Sequence, residues 1–291
     1  MQYEYIQATL VEANLAASQG RSTGEIYRIL RTLPLADFCN MMFSTPDTYD
    51  ALARFLPKMP SREIQRRWNG HSGNELLLKT TNVARLLQVC SWSMRAAPIG
   101  GTVLDYGCGW GRLTRLLAYF TDPDGIYALD PMEDSLGACR AHGVHSHLSL
   151  IPTKPESLPL QGRGFDFAVA YSVLTHTPPD VTSAVLSCLR RHASPNSVLA
   201  CTVRPLEFWN LRRPAFGDKE VDGLIAKHKG EGFAYRPVGG GTELTKEEYG
   251  EITMRMDFLS DLVANSGWNI GMVDREASEP WQILVGLAPK N

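Results

Sequence analysis

The sequence has almost no surplus of charge: 29 Lys+Arg stand against 31 Asp+Glu, a net −2 at pH 7. A chain without a basic excess is not built to bind nucleic acid or anionic membrane over broad surfaces. Long apolar runs are missing too. A spanning helix needs about 20 apolar residues in a row, and stretches such as Ile283 to Ala288 fall far short, so no membrane association is expected. The opening residues, MQYEYIQATLVEAN, carry Glu4 and Glu12 and lack the basic start and apolar stretch of a secretory signal. A cytoplasmic location is therefore expected. None of the six cysteines (Cys39, Cys90, Cys108, Cys139, Cys188, Cys201) forms a CxxC pair. That spacing argues against a metal site or a disulfide framework, and mostly apolar neighbours point to reduced, buried thiols. Internal repeats and low-complexity tracts are absent as well.

What is present is apolar material: 44% hydrophobic residues over 291 positions. A chain of this size buries roughly three quarters of its surface, enough for one large domain, or one domain with an appendage. Residues 1–97 read as helical. Ile26, Ile29 and Leu30 follow Ser22-Thr23, Tyr49 to Leu56 follow Ser44-Thr45-Pro46, and apolar residues recur at spacings of three and four from Asn74 to Met94. From residue 98 the pattern changes. Short apolar runs, Thr102 to Tyr106, Ile126 to Asp130, His147 to Ile151, Phe165 to Tyr171 and Ser197 to Val203, read as strands. Helical stretches separate most of them: Trp110 to Phe120, Met132 to Ala141 and Pro179 to His192. That alternation predicts a doubly wound α/β domain with a parallel sheet covered on both faces. Trp268 to Val273 and Trp281 to Leu287, joined by Asp274 to Pro280, read as an antiparallel C-terminal hairpin, preceded by a helix over Lys246 to Asn265. Residues 204–245 form an insertion with Phe208, Trp209 and Tyr235, and with a flexible point at Gly239 to Gly241.

The chemistry concentrates in VLDYGCGWGRL, Val103 to Leu113, where a strand ends in a carboxylate and turns through Gly107, Gly109 and Gly111 toward a helix. Such a turn lets the backbone approach a nucleotide-type ligand at the helix N-terminus. A pyrophosphate fingerprint wants its third glycine three residues after the second. That place holds Arg112, which weakens a nicotinamide-dehydrogenase reading.

The segment LDYGCGWG, Leu104 to Gly111, resembles motif I of the class I S-adenosylmethionine-dependent methyltransferases. The next strand, IYALDPM, agrees: Asp130 stands where that family holds the cofactor ribose with a carboxylate. FDFAVAYSVLTHTPP resembles the family's fourth strand, beside the reacting methyl. The resemblance covers residues 98–291 and implies a Rossmann-like seven-stranded sheet ending in an antiparallel hairpin, with the first 97 residues as a helical extension. GWGR, SVLTH and PKMPSREIQRRWNGHSG together are similar to small-molecule methyltransferases of bacterial glycan and secondary-metabolite pathways.

On this resemblance S-adenosyl-L-methionine is the cofactor, held by Asp105, Tyr106, Gly107, Cys108, Gly109, Gly111, Arg112, Asp130, Pro131 and Met132, with Tyr171 and Ser172 alongside. Many relatives place an Asp against adenine in a DAxxLP segment. This chain reads TKPESLP, so Glu156 or backbone near Pro155 takes that role. RRWNGHSG, with Trp68 and Gly70, reads either as a helix-ending turn or as a backbone cradle for the methionine carboxylate, with Arg66 or Arg67 as counter-charge. Trp110 suits packing better than stacking on the cofactor. His71, His142, His145, His147, His192 and His228 read as ordinary surface or loop residues. His176, just after the fourth strand, is the candidate general base, against a reading in which it caps a helix or packs beneath the cofactor.

Methyl transfer to an oxygen, less often a nitrogen, of a small molecule is the expected function. A catalytically silent cofactor-binding subunit of a partner enzyme is the alternative. No base-flipping tetrapeptide follows the fourth strand, so a nucleic-acid substrate is not expected. The N-terminal helices and the insertion are expected to roof the substrate, with Phe208, Trp209 and Tyr235 against a sugar or aromatic ring.

Overall fold

In the computed structural model, which describes residues 4–290, the first stretch is helical as expected: α1 (Gln7–Ser18), α2 (Thr23–Leu30), α3 (Leu35–Phe43), α4 (Asp50–Phe55), α5 (Arg62–Asn69) and α6 (Asn74–Arg95). Local chemistry sets these boundaries. At the start of α2 the Ser22 hydroxyl accepts from the Glu25 N–H while the Glu25 carboxylate accepts from the Ser22 N–H, satisfying two donors that a first helical turn leaves free.

The apolar runs beyond residue 98 become β1 (Val103–Tyr106), β2 (Ile126–Asp130), β3 (His147–Leu150), β4 (Phe165–Ala170) and β5 (Ala193–Val203). Between them lie α7 (Thr114–Leu117), α8 (Glu133–Ala141) and α9 (Pro179–Arg191). A small unit follows, α10 (Phe208–Phe216), α11 (Asp218–Glu231), β6 (Phe233–Pro237) and β7 (Gly250–Met254), and then α12 (Met256–Asn265), β8 (Trp268–Arg275) and β9 (Ile283–Pro289). The main sheet has seven strands in the order β3-β2-β1-β4-β5-β9-β8. The first five are parallel, and β9 runs antiparallel to both β5 and β8. Strand order reverses between β1 and β4, and such a switch opens a crevice beyond the carboxyl ends of the strands.

Alternation along the strands divides the core. Val103, Ile126, Phe167 and Val198 pack with Leu10, Leu30, Phe38, Val83 and Leu87 of the first helices. Leu104, Leu129, Ala168 and Leu199 pack with Val185 and Leu189 of α9 and Leu259 and Val263 of α12. The N-terminal helices are thus a covering layer of the sheet and share its core. All six cysteines are buried and free, and among the described residues no helix is long and apolar enough to cross a membrane.

Several expectations need correction. The helix expected over Trp110 to Phe120 shrinks to α7, because Gly109 and Gly111 take positive φ (55° and 80°) and keep the chain in turns until Thr114. The helix expected over Lys246 to Asn265 is α12 alone. Its first part pairs instead as β7 with β6, since Glu251, Ile252, Thr253 and Met254 alternate polar and apolar. The insertion is accordingly longer than 204–245 and has its own core of Phe208, Trp209, Val221, Leu224 and Ala234. Trp209 is fully buried and donates its Nε1–H to Thr253 Oγ1 (2.7 Å), so it cannot face a substrate ring. Tyr235 donates its hydroxyl to the Lys246 carbonyl. His228, expected at the surface, is buried against Thr253 Oγ1 (2.8 Å).

Phe38 is fully buried between the helices and Tyr119, with ring centroids 5.2 Å apart. Phe38→Ala should cost about 3–5 kcal/mol. Because the layer and the sheet share one core, urea unfolding followed by tryptophan fluorescence and by far-ultraviolet circular dichroism should give one shifted, coincident transition. Separate transitions would mean that the layers unfold independently.

Candidate active site

The turn after β1 is built by hydrogen bonds from β2. Gly107 and Cys108 both donate backbone N–H to the Leu129 carbonyl (2.7 and 3.1 Å). Asp130, at the end of β2, then accepts from the Gly109 N–H on one carboxylate oxygen (2.8 Å) and from the Met132 N–H on the other (2.9 Å). Gly107 is required on two counts. Its φ is 75°, and a Cβ there would lie 2.4 Å from Val173 Cγ2. Asp105 is buried and accepts from the Thr114 hydroxyl (2.6 Å). Burial first, and the Asp130 carboxylate second, push its pKa up to about 6 against the downward pull of that hydrogen bond and of Arg112.

These residues form one wall of a cavity of about 600 Å³. A second wall is the end of α5 and the turn after it, Arg66 to Gly70. Gly70 takes the left-handed conformation that ends α5, Asn69 accepts from Trp110 Nε1 (2.9 Å), and Gln65 accepts from the Gly73 N–H (2.9 Å). The segment therefore is the helix-ending turn, and it also lines the cavity. The Gly70 N–H is used on the Arg66 carbonyl and the Gly73 N–H on Gln65. Arg112, on the same wall, lies with its guanidinium 5.2 Å from the Tyr171 ring centre.

Beyond β4, Ser172 adopts φ 63°, donates its N–H to Thr202 Oγ1 (2.7 Å) and accepts from Gln282 Nε2 (3.1 Å). A non-glycine residue held so costs energy and persists only where its surroundings fix it. His176 lies further along the same wall, stacked on Tyr249 with centroids 4.7 Å apart. Both ring nitrogens are engaged. Nδ1 faces the Gly250 carbonyl at 2.7 Å, which makes it the protonated nitrogen, and Nε2 accepts from Arg204 Nη2 at 3.0 Å. Burial, reinforced by the Arg204 charge, lowers its pKa to about 3. Arg204 also donates to Glu251, whose other oxygen accepts from Arg212 Nη2 (2.7 Å).

A strap from the insertion crosses the opening. Leu244, Glu248 and Tyr249 line the cavity. The Glu243 carboxylate accepts from the backbone N–H groups of Glu133 (2.5 Å) and Asp134 (3.3 Å) at the start of α8, and Thr153 donates to Glu248 (2.5 Å). The glycines expected as a flexible point form an ordered turn closed by a Gly240–Leu244 bridge.

Residues 103–196 match a family described as a methyltransferase domain. Residues 103–196 therefore carry a methyltransferase domain. The chain is 27% identical over 128 residues to a ubiquinone biosynthesis O-methyltransferase of Xanthomonas axonopodis pv. citri, covering 43% of this chain and 51% of that protein. The chain thus spans about half the length of the curated relative it matches. The PH0226 protein of Pyrococcus horikoshii OT3 has a similar fold, with a TM-score of 0.53 and 15% identity over 75% of this chain and 93% of that one. A magnesium protoporphyrin IX methyltransferase of Synechocystis PCC 6803 aligns at a TM-score of 0.49 with 16% identity over 79% of this chain and 94% of that one.

Most of the residues singled out from the sequence meet at one cavity: Asp105, Tyr106, Gly107, Cys108, Gly109, Arg112, Asp130, Pro131, Met132, Tyr171, Ser172, His176, Trp68 and Gly70 all line it. Two do not. Gly111 serves packing, since a Cβ there would lie 2.9 Å from Val144 and 3.1 Å from Cys139 Sγ. Glu156 is exposed and does not line the cavity, and its main-chain carbonyl accepts from Arg191 (2.7 Å). The sequence reading missed Arg204, Arg212, Tyr249 and Glu251. The alternation of Glu251-Ile252-Thr253-Met254 was the one local signal that β7 would carry a side chain to the site.

Asp105 supplies a pH test. Folded, it keeps its proton until about pH 6, whereas the ordinary value is 3.8. Across that window the native state binds more protons than the unfolded state, so this carboxyl's contribution to stability falls as pH rises. His176, lowered to about 3, contributes with the opposite sign but is common to wild type and variant. The stability of wild type minus that of Asp105→Asn, from denaturant titrations, should therefore decline across the window and then level. A flat difference would mean that the carboxyl is not perturbed.

Proposed function

We propose that this methyltransferase moves the methyl group of S-adenosylmethionine to an oxygen of a small molecule. The carrying observation is the convergence of Asp105 and Asp130, at the ends of neighbouring strands, on a cavity that continues under the strap to Arg204 and Arg212. The cavity's size falls in the range of small-ligand pockets, roughly 300–1,000 Å³. The relative's O-methyltransferase name favours oxygen over nitrogen.

The cofactor fits the residues present. Asp130 stands where a carboxylate can accept hydrogen bonds from a ribose diol, and its backbone partners fix its orientation. Arg66 and Arg67, with no ion-pair partner among the described residues, complement a carboxylate at the α5 wall, and Arg112 adds charge on that side. When bound, S-adenosylmethionine supplies a methyl group already activated by the sulfonium. The protein therefore contributes alignment and exclusion of water. The strap and the turn from Arg66 to Gly70 roof the cavity. His176 is a positioning residue in this reading: its Nε2 lone pair is committed to Arg204, and its low pKa makes it a poor proton acceptor near neutrality. It fixes Arg204 and holds β7 through Gly250.

Asp130→Ala should lose charge-assisted hydrogen bonds worth about 1.5–3 kcal/mol, weakening S-adenosylhomocysteine binding roughly 10- to 150-fold by calorimetry. Unchanged affinity would remove Asp130 from the site, and a wild-type protein that binds neither S-adenosylmethionine nor S-adenosylhomocysteine would overturn the proposed function.

A further inference from the structure

Where Arg204 and Arg212 line the cavity, two guanidiniums have one carboxylate between them as ion-pair partner. Arg204 and Arg212 share one carboxylate, Glu251, with one oxygen given to each. Arg204 also donates to the Thr175 carbonyl (3.0 Å) and to His176 Nε2, while its buried Nε has no partner among the described residues. His176 is held neutral by its surroundings and adds no counter-charge or competing charge. The neighbouring groups are occupied elsewhere. Arg236, close enough to Arg212 to oppose its charge, is paired with Glu220 (2.6 Å). Glu248 is a charged carboxylate held by Thr153 and Thr245 and makes no ion pair with either arginine, and Glu279 is paired with Lys79 (3.0 Å).

One guanidinium is left over. Arg212 uses only Nη2, on Glu251; its Nη1 has no hydrogen-bond partner among the described residues, and its buried Nε has none either. The group is not free to swing into solvent, because its guanidinium lies 5.1 Å from the Phe208 ring centre and 5.9 Å from that of Phe216. A cation stacked on aromatic faces, on the wall of a cavity and short of one counter-charge, is preorganised for an oxyanion.

We propose that the methyl acceptor carries an anionic group, a carboxylate or a phosphate, and that Arg212 binds it at the end of the cavity away from Asp130. This rests on the reading of the cavity as the methyl-transfer site. It makes Arg212 a specificity-determining residue: the charged group is anchored at one end and the nucleophilic oxygen reaches back toward the β4 edge. Arg204, buried and fully engaged except at Nε, keeps Glu251 in place and so fixes Arg212.

The test uses benzoate, its neutral counterpart benzamide, and inorganic phosphate as probes. Each is titrated calorimetrically into wild type and Arg212→Gln, with and without saturating S-adenosylhomocysteine. At least one of the two anions should bind wild type roughly 10-fold or more tightly than benzamide, and which anion does so separates carboxylate from phosphate. Arg212→Gln should abolish that preference while S-adenosylhomocysteine affinity and melting temperature stay close to wild type, Arg212 being 37% exposed at its side chain and outside the shared core. Failure of both anions to bind better than benzamide, or a preference that survives in Arg212→Gln, would overturn the proposal. The cofactor arm separates the two readings: no S-adenosylhomocysteine binding refutes methyl transfer, while the titrations without it still report on Arg212.

Discussion

The carboxylate of Asp130 is the tie on which the site depends. It sits at the end of β2 and holds the Gly109 N–H with one oxygen and the Met132 N–H with the other. These two contacts bend the chain after β1 over the neighbouring strand and start α8 on its far side. Burial raises its pKa, a cost the backbone donors offset. Gly109 takes its position in the turn from that contact.

Around the tie the protein has arranged two layers of different origin. The N-terminal helices lie on one face of the sheet and contribute to the cavity only through residues 66–70 and Leu76. The insertion, by contrast, brings β7 against the segment after β4: Gly250 and Ile252 donate backbone N–H to the carbonyls of His176 and Thr175. The sheet thus supplies one wall of the cavity, and an added hairpin supplies another. Such a division lets one scaffold serve many acceptors, since the strand ends can stay fixed while the added elements change.

How much of this was legible depends on how local each feature's cause is. The strands over Val103 to Tyr106 and Ile126 to Asp130 could be read because buried parallel strands are continuous apolar runs, and the turn because three glycines at alternate positions have few other uses. The C-terminal hairpin was read for the same kind of reason. Trp209 and Phe208 were misplaced, because an aromatic residue in an irregular stretch looks the same from sequence whether it packs in a small core or faces a ligand. His176 was correctly placed at the cavity, but its partners, Gly250 and Arg204, are 74 and 28 residues away. A side chain's protonation is fixed by such distant contacts. Glu156 fell outside the site because register within the TKPESLP loop is set by tertiary contacts such as Arg191 on its carbonyl and the Lys154–Asp180 pair.

The strap has a kinetic meaning that the static cavity does not show. Glu243 is bonded to the first turn of α8, and that helix begins where Asp130 ends β2. Were the strap to lift, it would break a charged contact at a helix N-terminus, where carboxylates are favoured. Lifting the strap and loosening the helix that follows Asp130 would then be one event. The time a ligand stays bound would be governed by that unlatching as well as by the contacts the ligand itself makes.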